Sequence, residues 1–531
     1  MSLDRHAVRC SRGPLPGASA QAGLPFVPRP QTPTPRAATW RPPEPEHFDL
    51  DRAIRDDVRR RLGRGEVRLP GRRPGSTTFR ELRGALPAPI RAIRQEGSAY
   101  DASLAAGPAH LIAVGNYNVA VYRKSDGAAV LTTDLVHWFP NTPDAADVFD
   151  PHVLYDQHER RWILLAVAKV GPIPPRESYL LLSVSQGDDP LGQWWSWVFD
   201  ARLAGSTLPE PKAWADYPCL GVDATAVFVS LNMFNVPEKP AKLRIVPKDQ
   251  LYRGGVAAFV DFVDLVNEGQ TGSLAPAMAV QPCHTYGARG PEYLVNTLTF
   301  GDTVTLWRAE HDAAGWGLTC ESVTVDEYVY PTQDAPQKGE PKRLGVGGPR
   351  VRSAVCRDGA VWFSFATGYG AQGPDGLDEF TAARWEKIVD GRRVGGDEIG
   401  EGGSWYVFPS VMADRNGRVT MAVSRTSSGQ HPAFCAAVWS GTGPPALHDV
   451  APGAGPHRRC RQQMDCDDED AVNGWGDYNA ATLDPGDETT VWLYGGAGAE
   501  GDAMVWDTWI ARVPTTGPGA GAPGPRASST C

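Results

Sequence analysis

Trp214-Ala-Asp216-Tyr217 followed by Asp223, and Trp475-Gly-Asp477-Tyr478 followed by Asp484, are two copies of one signature, 261 residues apart. Each sets a carboxylate beside a phenol. Such pairs supply general acid and base groups, and two carboxylates flanking one bond are the apparatus of glycoside hydrolysis. The same register in other stretches adds further polar groups. Aligned on the turn aspartates, the residues seven to four places upstream are Phe149/Asp150/Pro151/His152, Asp216/Tyr217/Pro218/Cys219, Val351/Arg352/Ser353/Ala354, Val407/Phe408/Pro409/Ser410 and Asp477/Tyr478/Asn479/Ala480. The candidate catalytic residues are therefore Asp150, His152, Asp216, Tyr217, Asp477 and Tyr478. Arg350, Arg352, Asn479, Ser410, Trp214 and Trp475 are candidate ligand contacts. A structural reading stands beside this one: an Asp before a strand often caps backbone amides, and repeated Trp and Tyr often plug junctions between repeats. Asp150, His152 and Arg352 break the pattern of their repeats, which favours a functional role for them.

The elements that must position these groups are short β runs ended by turns. Asp156, Asp223, Asp358, Asp414 and Asp484 each follow one apolar run and precede another, and Asn116 and Asp302 extend the series. The gaps of 40 to 79 residues suit one four-stranded blade per unit, so the fold expected is all-β, a single closed β-propeller over 100–515. The spacing gives seven blades, within a range of six to eight. In a propeller the innermost strands line the axis and ligands use one rim of the funnel, so the upstream residues share a rim and the turn aspartates lie on the opposite face. Residues 1–75 are predicted to be a Pro/Arg-rich disordered arm with one short helix at about 49–62, where Leu50, Ile54, Val58 and Leu62 recur every four positions. Residues 76–99 form a connector and 516–531 a disordered tail.

Phe149-Asp-Pro-His-Val-Leu-Tyr-Asp156, Trp214-Ala-Asp-Tyr-Pro, Ser230-Leu-Asn-Met-Phe234, Phe408-Pro-Ser-Val and Trp475-Gly-Asp-Tyr-Asn resemble segments of the sialidase-like (Asp-box class) bacterial β-propeller family, whose members are mostly uncharacterised. The resemblance spans roughly 100–515 and implies the architecture; it says little about activity. Ser185-Gln-Gly-Asp-Asp-Pro-Leu-Gly-Gln-Trp194 is similar to an Asp-box turn with altered spacing, a structural rather than catalytic device. The arginine cluster that grips a sialic acid carboxylate in sialidases shrinks here to Arg350 and Arg352.

Composition sets the outer limits. The 58 Gly, 47 Pro and 17 Trp of the 531 residues suit a turn-rich, aromatic-plugged β protein. Residues 1–94 hold 19 Arg, no Lys and 9 acids, so the body carries −20 of the overall −10. That excludes a nucleic-acid binder, and no apolar stretch suits a membrane span. Nine scattered cysteines without CxxC pairs indicate neither zinc nor a disulfide framework, with Cys460 and Cys466 the one close pair that could bridge a loop. Asp465-Cys-Asp-Asp-Glu-Asp470 offers oxygen ligands for Ca²⁺ but lacks EF-hand spacing, and reads as a solvated acidic loop; no cofactor and no metal are expected. The first 40 residues lack a secretory apolar core, which makes the cytoplasm the default location, although the family resembled is often secreted. The reading that results is a monomeric propeller enzyme acting on a small-molecule or glycan ligand in the funnel by Asp/His/Tyr acid–base chemistry, with glycosidase-like hydrolysis favoured. The alternatives are an alkylating, cyclising or eliminating enzyme using an Asp/Tyr pair, and a non-catalytic glycan- or protein-binding scaffold.

Overall fold

The computed structural model describes residues 10–514, apart from 32–45, 72–78, 83–85, 97–99, 173, 237–240, 269–273, 288–289, 374–375, 442, 459–471 and 502. Cys460, Cys466 and the acidic run 465–470 lie outside the described residues.

Alternating apolar residues and frequent turns produce antiparallel meanders in a β-propeller arrangement. Five separate sheets have four or five strands each. The first runs Ser103–Ala106, His110–Gly115, Asn118–Arg123, Ala129–Asp134, and the second Ala146–Asp156, Arg161–Val170, Glu177–Ser185, Trp194–Asp200. Two more begin at Gln281–Pro282 and at Trp405–Ala413. The last runs Ala480–Leu483, Val491–Gly498, Val505–Val513, and takes its outer strand, Ile90–Glu96, from the other end of the chain. A ten-stranded sheet holds two further meanders, starting at Trp214–Val222 and Ser353–Arg357. They are joined by His284–Tyr286, which pairs in parallel with both. Tryptophans fill the spaces between sheets: Trp162, Trp194, Trp197, Trp214, Trp307, Trp475 and Trp506 are all essentially inaccessible.

The turn aspartates cap their hairpins. Asp223 Oδ1 accepts from the amides of Thr225 (2.6 Å) and Ala226 (2.7 Å), and Asp414 Oδ1 from those of Asn416 (2.8 Å) and Arg418 (2.9 Å). Asn116 and Asp302 do not belong to this series. Asn116 sits in the hairpin between the second and third strands of its sheet, at the opposite end from the inner-strand turns, and Asp302 lies within the strand Phe300–Asp312. Period alone cannot separate the two hairpins of a meander, because both present a polar residue between apolar runs.

The arm departs from expectation. Arg12–Ala22 is a strand on the outer edge of Val256–Val263, and Leu24–Phe26 adds to Trp194–Asp200. Composition favoured disorder; the exposed sheet edges supply the partners that the segment lacks by itself. Cys10 is disulfide-bonded to Cys320, a linkage that the scattered cysteine spacing did not disclose. Such bonds persist in oxidising surroundings. Among the described residues three helices are present where one was expected: Glu46–Gly63, Leu135–Trp138 and Lys248–Tyr252. Among the described residues no helix is long and apolar enough to cross a membrane. Replacing Cys320 by Ser should cost about 2–4 kcal/mol, the usual weight of a native disulfide. Melting curves with and without reductant should show the loss in the wild type and none in the variant, and protease should release 10–31 only after reduction.

Candidate functional site

Three inner strands share one backbone distortion. Asp150-Pro151, Tyr217-Pro218 and Phe408-Pro409 each place two residues opposite one in the neighbouring strand, leaving Ala166, Leu231 and Val423 as the single partners. The first residue of each bulge is left-handed, with φ of 49° at Asp150, 50° at Tyr217 and 53° at Phe408. Proline explains the break, since it donates no ladder hydrogen bond and its predecessor avoids the helical region. Asp101 (φ 35°) and Ala279 (φ 48°), just upstream of two other inner strands, are also left-handed. A non-glycine residue in this region is costly, by about 1–3 kcal/mol, and such strain concentrates at functional positions. The bulges turn side chains that would lie along the strand toward the axis.

Side chains from one meander hold the next. The Asp150 amide donates to Asn116 Oδ1 (2.9 Å), and Asn116 Nδ2 donates to Asp101 Oδ2 (2.6 Å). The Asp477 amide donates to Asp101 Oδ1 (2.8 Å). Asp101 and Asn116, both missed by sequence reasoning, thus clamp two of the expected catalytic residues. A signal was present: Asn116 was aligned as a turn residue, but it lies in the other hairpin of its meander, on the rim.

Four aspartates gather here. Asp150 is raised well above the ordinary carboxylate range, first by burial and then by Asp216, Asp101 and Asp477, and its side chain hydrogen-bonds that of Asp216. Asp216 is buried, and Asp477 is half-buried. Among the described residues no group of three or more His, Cys, Asp or Glu is arranged to hold a metal ion.

The aromatic and basic candidates form an adjoining group. Tyr478 lies with its ring centroid 4.9 Å from His152 and 5.1 Å from Tyr217. Arg352 Nη1 donates to Tyr217 Oη (2.8 Å) and to the Asp477 carbonyl (2.9 Å), and its guanidinium stands 5.0 Å from the Phe408 ring. Burial lowers His152 to about 4, opposed by the Pro218 carbonyl, so the ring is neutral at pH 7. Burial raises Tyr217 to about 12 despite Arg352, and pushes Tyr478 well above the usual phenol, so both hydroxyls stay protonated.

Beneath the rim runs a channel of about 70 Å³, lined by residues of every meander's inner strand, among them Ser103, His152, Leu220, Gln281, Arg352, Ser410, Tyr478 and Asn479. Asn479 Nδ2 donates to the Phe408 carbonyl (2.8 Å), and its Oδ1 accepts from Tyr100 (2.8 Å). Arg350 is half-buried near Tyr217. Trp214 and Trp475 lie elsewhere. Trp214 packs on Phe234 (5.2 Å), and Trp475 packs among Tyr100, Trp506 and His457, both between sheets and off the channel wall.

No family profile and no curated protein matches the chain. Among solved structures, an α-L-arabinofuranosidase from Fusarium graminearum aligns over 81% of this chain and 98% of its own, at 10% identity and a TM-score of 0.37. Trypanosoma rangeli sialidase aligns over 79% of this chain and 59% of its own, at 9% identity and 0.37. An endo-arabinanase from Bacillus licheniformis aligns over 70% and 100%, at 12% identity and 0.29. At these identities and scores the likeness carries nothing about residues or reaction.

The raised Asp150 makes a stability test. Its native form holds a proton that the unfolded chain releases, so its contribution is present at low pH and is lost as pH rises from the ordinary carboxylate range through the raised value. Asp150→Asn should therefore melt a few degrees higher than wild type at pH 8 and show no such gain at pH 4, measured by circular dichroism. His152 has the opposite sign. Its depressed value favours the native state above about 6.5, and that support disappears as pH falls toward about 4.

Proposed function

We propose that this protein cleaves glycosidic bonds at the rim of a closed, seven-bladed ring. The seven-blade reading takes the ten-stranded sheet as two blades, and is supported by the single channel that all the inner strands line. The observation that carries the functional reading is the cluster of Asp101, Asp150, Asp216 and Asp477, in which burial, the neighbouring aspartates and a hydrogen bond to Asp216 raise Asp150 well above the ordinary carboxylate range. A carboxyl group that holds its proton more tightly than its carboxylate neighbours is the arrangement that divides acid from base.

The roles follow from geometry. Two hydrogen-bonded carboxyls are closer than the roughly 5–5.5 Å or 6.5–9.5 Å that separates groups flanking a scissile bond. Asp150 and Asp216 therefore act together on one side: Asp150 protonates the leaving oxygen, Asp216 holds that proton in place beforehand by its hydrogen bond, and the water that completes hydrolysis supplies the proton that returns Asp150 to its acid form. Both Asp101 oxygens are engaged by Asn116 and the Asp477 amide. Asp477, half-exposed and close enough to Asp150 to raise it, is the opposing nucleophile or base. Tyr217 and Tyr478, protonated, serve as hydrogen-bond donors to sugar hydroxyls.

A second reading is elimination, favoured by one observation: His152 is neutral and its Nε2 has no hydrogen-bond partner among the described residues, a lone pair that could remove a carbon-bound proton. One screen separates the two. Neutral and acidic oligosaccharides and aryl glycosides are incubated with the full chain, and products are scored for new reducing ends or for a new carbon–carbon double bond. Hydrolysis predicts reducing ends alone, with kcat lowered about 10³-fold in Asp150→Asn and in Asp477→Asn, within the usual range for losing an acid or base. Unsaturated products would replace hydrolysis by elimination. Full activity in both variants, or no turnover anywhere in the panel, would refute the assignment.

A further inference from the structure

We infer that Arg55 is a positioning residue for the rim: from the helix Glu46–Gly63 it holds the segment 330–350 against Arg352, and through Arg352 it fixes the backbone at Asp477. The inference takes Asp477 as the group opposing Asp150, as in the reading above, and gives the helix a part in that site.

The helix docks by the apolar stripe that its sequence displays. Val58, 1% exposed, packs on Val329 and Tyr330, with Ile54, Leu62 and Phe300 around it. Arg55 and Arg59 stand four apart beside that stripe, so both reach the same surface. Arg59 Nη2 donates to the Thr332 carbonyl (2.6 Å). Arg55 grips Asp334 with two nitrogens, Nη2 donating to Oδ1 (2.9 Å) and Nη1 to Oδ2. The side chains of this pair are 14% and 7% exposed, against 60% and 44% for the pair of Arg60 and Asp57 within the helix.

Asp334 passes the hold to the rim. Its Oδ1 also accepts from the Val346 amide (3.3 Å), and its carbonyl accepts from Arg343 Nη1 (2.7 Å). Between these contacts the hairpin Ala335–Gln337 and Glu340–Leu344 reaches across to the last two sheets. Gln337 exchanges two hydrogen bonds with the His457 backbone (2.7 and 2.8 Å), and the Gly345 amide donates to the Asn473 carbonyl (2.9 Å). The next residues close on Arg352. A Cβ at Gly347, where φ is 60°, would collide with Arg352 Nη2, and one at Gly348 would collide with the Tyr330 ring. Arg352 is confined on that side, while its Nη1 donates to the Asp477 carbonyl (2.9 Å) and to Tyr217 Oη (2.8 Å). The line from helix to site is therefore a charged pair, a hydrogen bond, a close packing contact and a second hydrogen bond. Removing Arg55 leaves a nearly buried carboxylate without the guanidinium that engages both its oxygens, a far larger disturbance than loss of an exposed pair.

Hydrogen exchange on the full chain, read by mass spectrometry, tests this without turnover, so its failure is distinct from failure of the glycosidase reading. In Arg55→Gln the amides of 343–353 and of 476–480 should exchange about tenfold faster, and those of 161–170 at the wild-type rate. Arg55→Lys, which keeps the charge, should recover most of the protection, and Arg60→Gln should change nothing. Gly347→Ala perturbs the same line from its far end, leaves the helix intact and should also loosen 476–480. It decides the matter if Arg55→Gln does not fold. On any substrate turned over in the screen above, Arg55→Gln should lower kcat about tenfold with KM within about twofold, because the group displaced acts in the chemical step. Faster exchange at 343–353 with 476–480 unchanged, or a uniform rise along the chain, overturns the inference. Wild-type exchange in both Arg55→Gln and Gly347→Ala does the same.

Discussion

The left-handed bulge at the top of the inner strands is the constraint on which this molecule depends. Strands meeting at an axis have no room for side chains that point along their ordinary alternation. Placing an extra residue before a proline at Asp150, Tyr217 and Phe408 turns those side chains out of the ladder and toward the centre. The proline keeps the distortion from relaxing, because the missing amide cannot rejoin the ladder. The same distortion produces the electrostatics: carboxyls that a regular strand would spread over separate pleats instead lie close enough to share a proton.

Much of this was legible in the residue string, and the reasons are particular. The Trp-x-Asp-Tyr copies and the Asp-capped hairpins are local signals, read over fewer than ten residues, and they gave the architecture and the rim. Asp150, His152, Tyr217, Arg352 and Tyr478 were singled out because a common turn aspartate fixed their distance along each inner strand. Asp101 and Asn116 were not, because their roles depend on which hairpin of a meander faces the rim, and hairpins of equal length look alike in sequence. Trp214 and Trp475 were placed as ligand contacts by adjacency to the aspartates; alternation sends them into the inter-sheet core instead. The strands of the arm were invisible for another reason. Arg12–Ala22 carries little β signal of its own and takes its conformation from the edge of Val256–Val263.

The hydrogen bonds from Asn116 to Asp101, and from the Asp150 and Asp477 amides to that pair, link the first sheet to the second and to the last. The site is thus built across the seam where the two ends of the chain meet. Its geometry is as firm as that seam, which Ile90–Glu96 fastens by pairing with Val505–Val513 and by the contacts of Arg91 and Arg94 to Asp507 at 2.7 and 3.1 Å.

That seam also sets a schedule for the nascent chain. Ile90–Glu96 emerges from the ribosome long before Val505–Val513 exists, and at roughly 5–20 residues per second the interval is on the order of half a minute or more. Arg12–Ala22 waits in the same way for Val256–Val263. Throughout that time the early strands are unpaired edges, open to the wrong neighbour. The density of arginine in residues 1–94 gives this waiting segment a charge that repels its own copies on adjacent ribosomes.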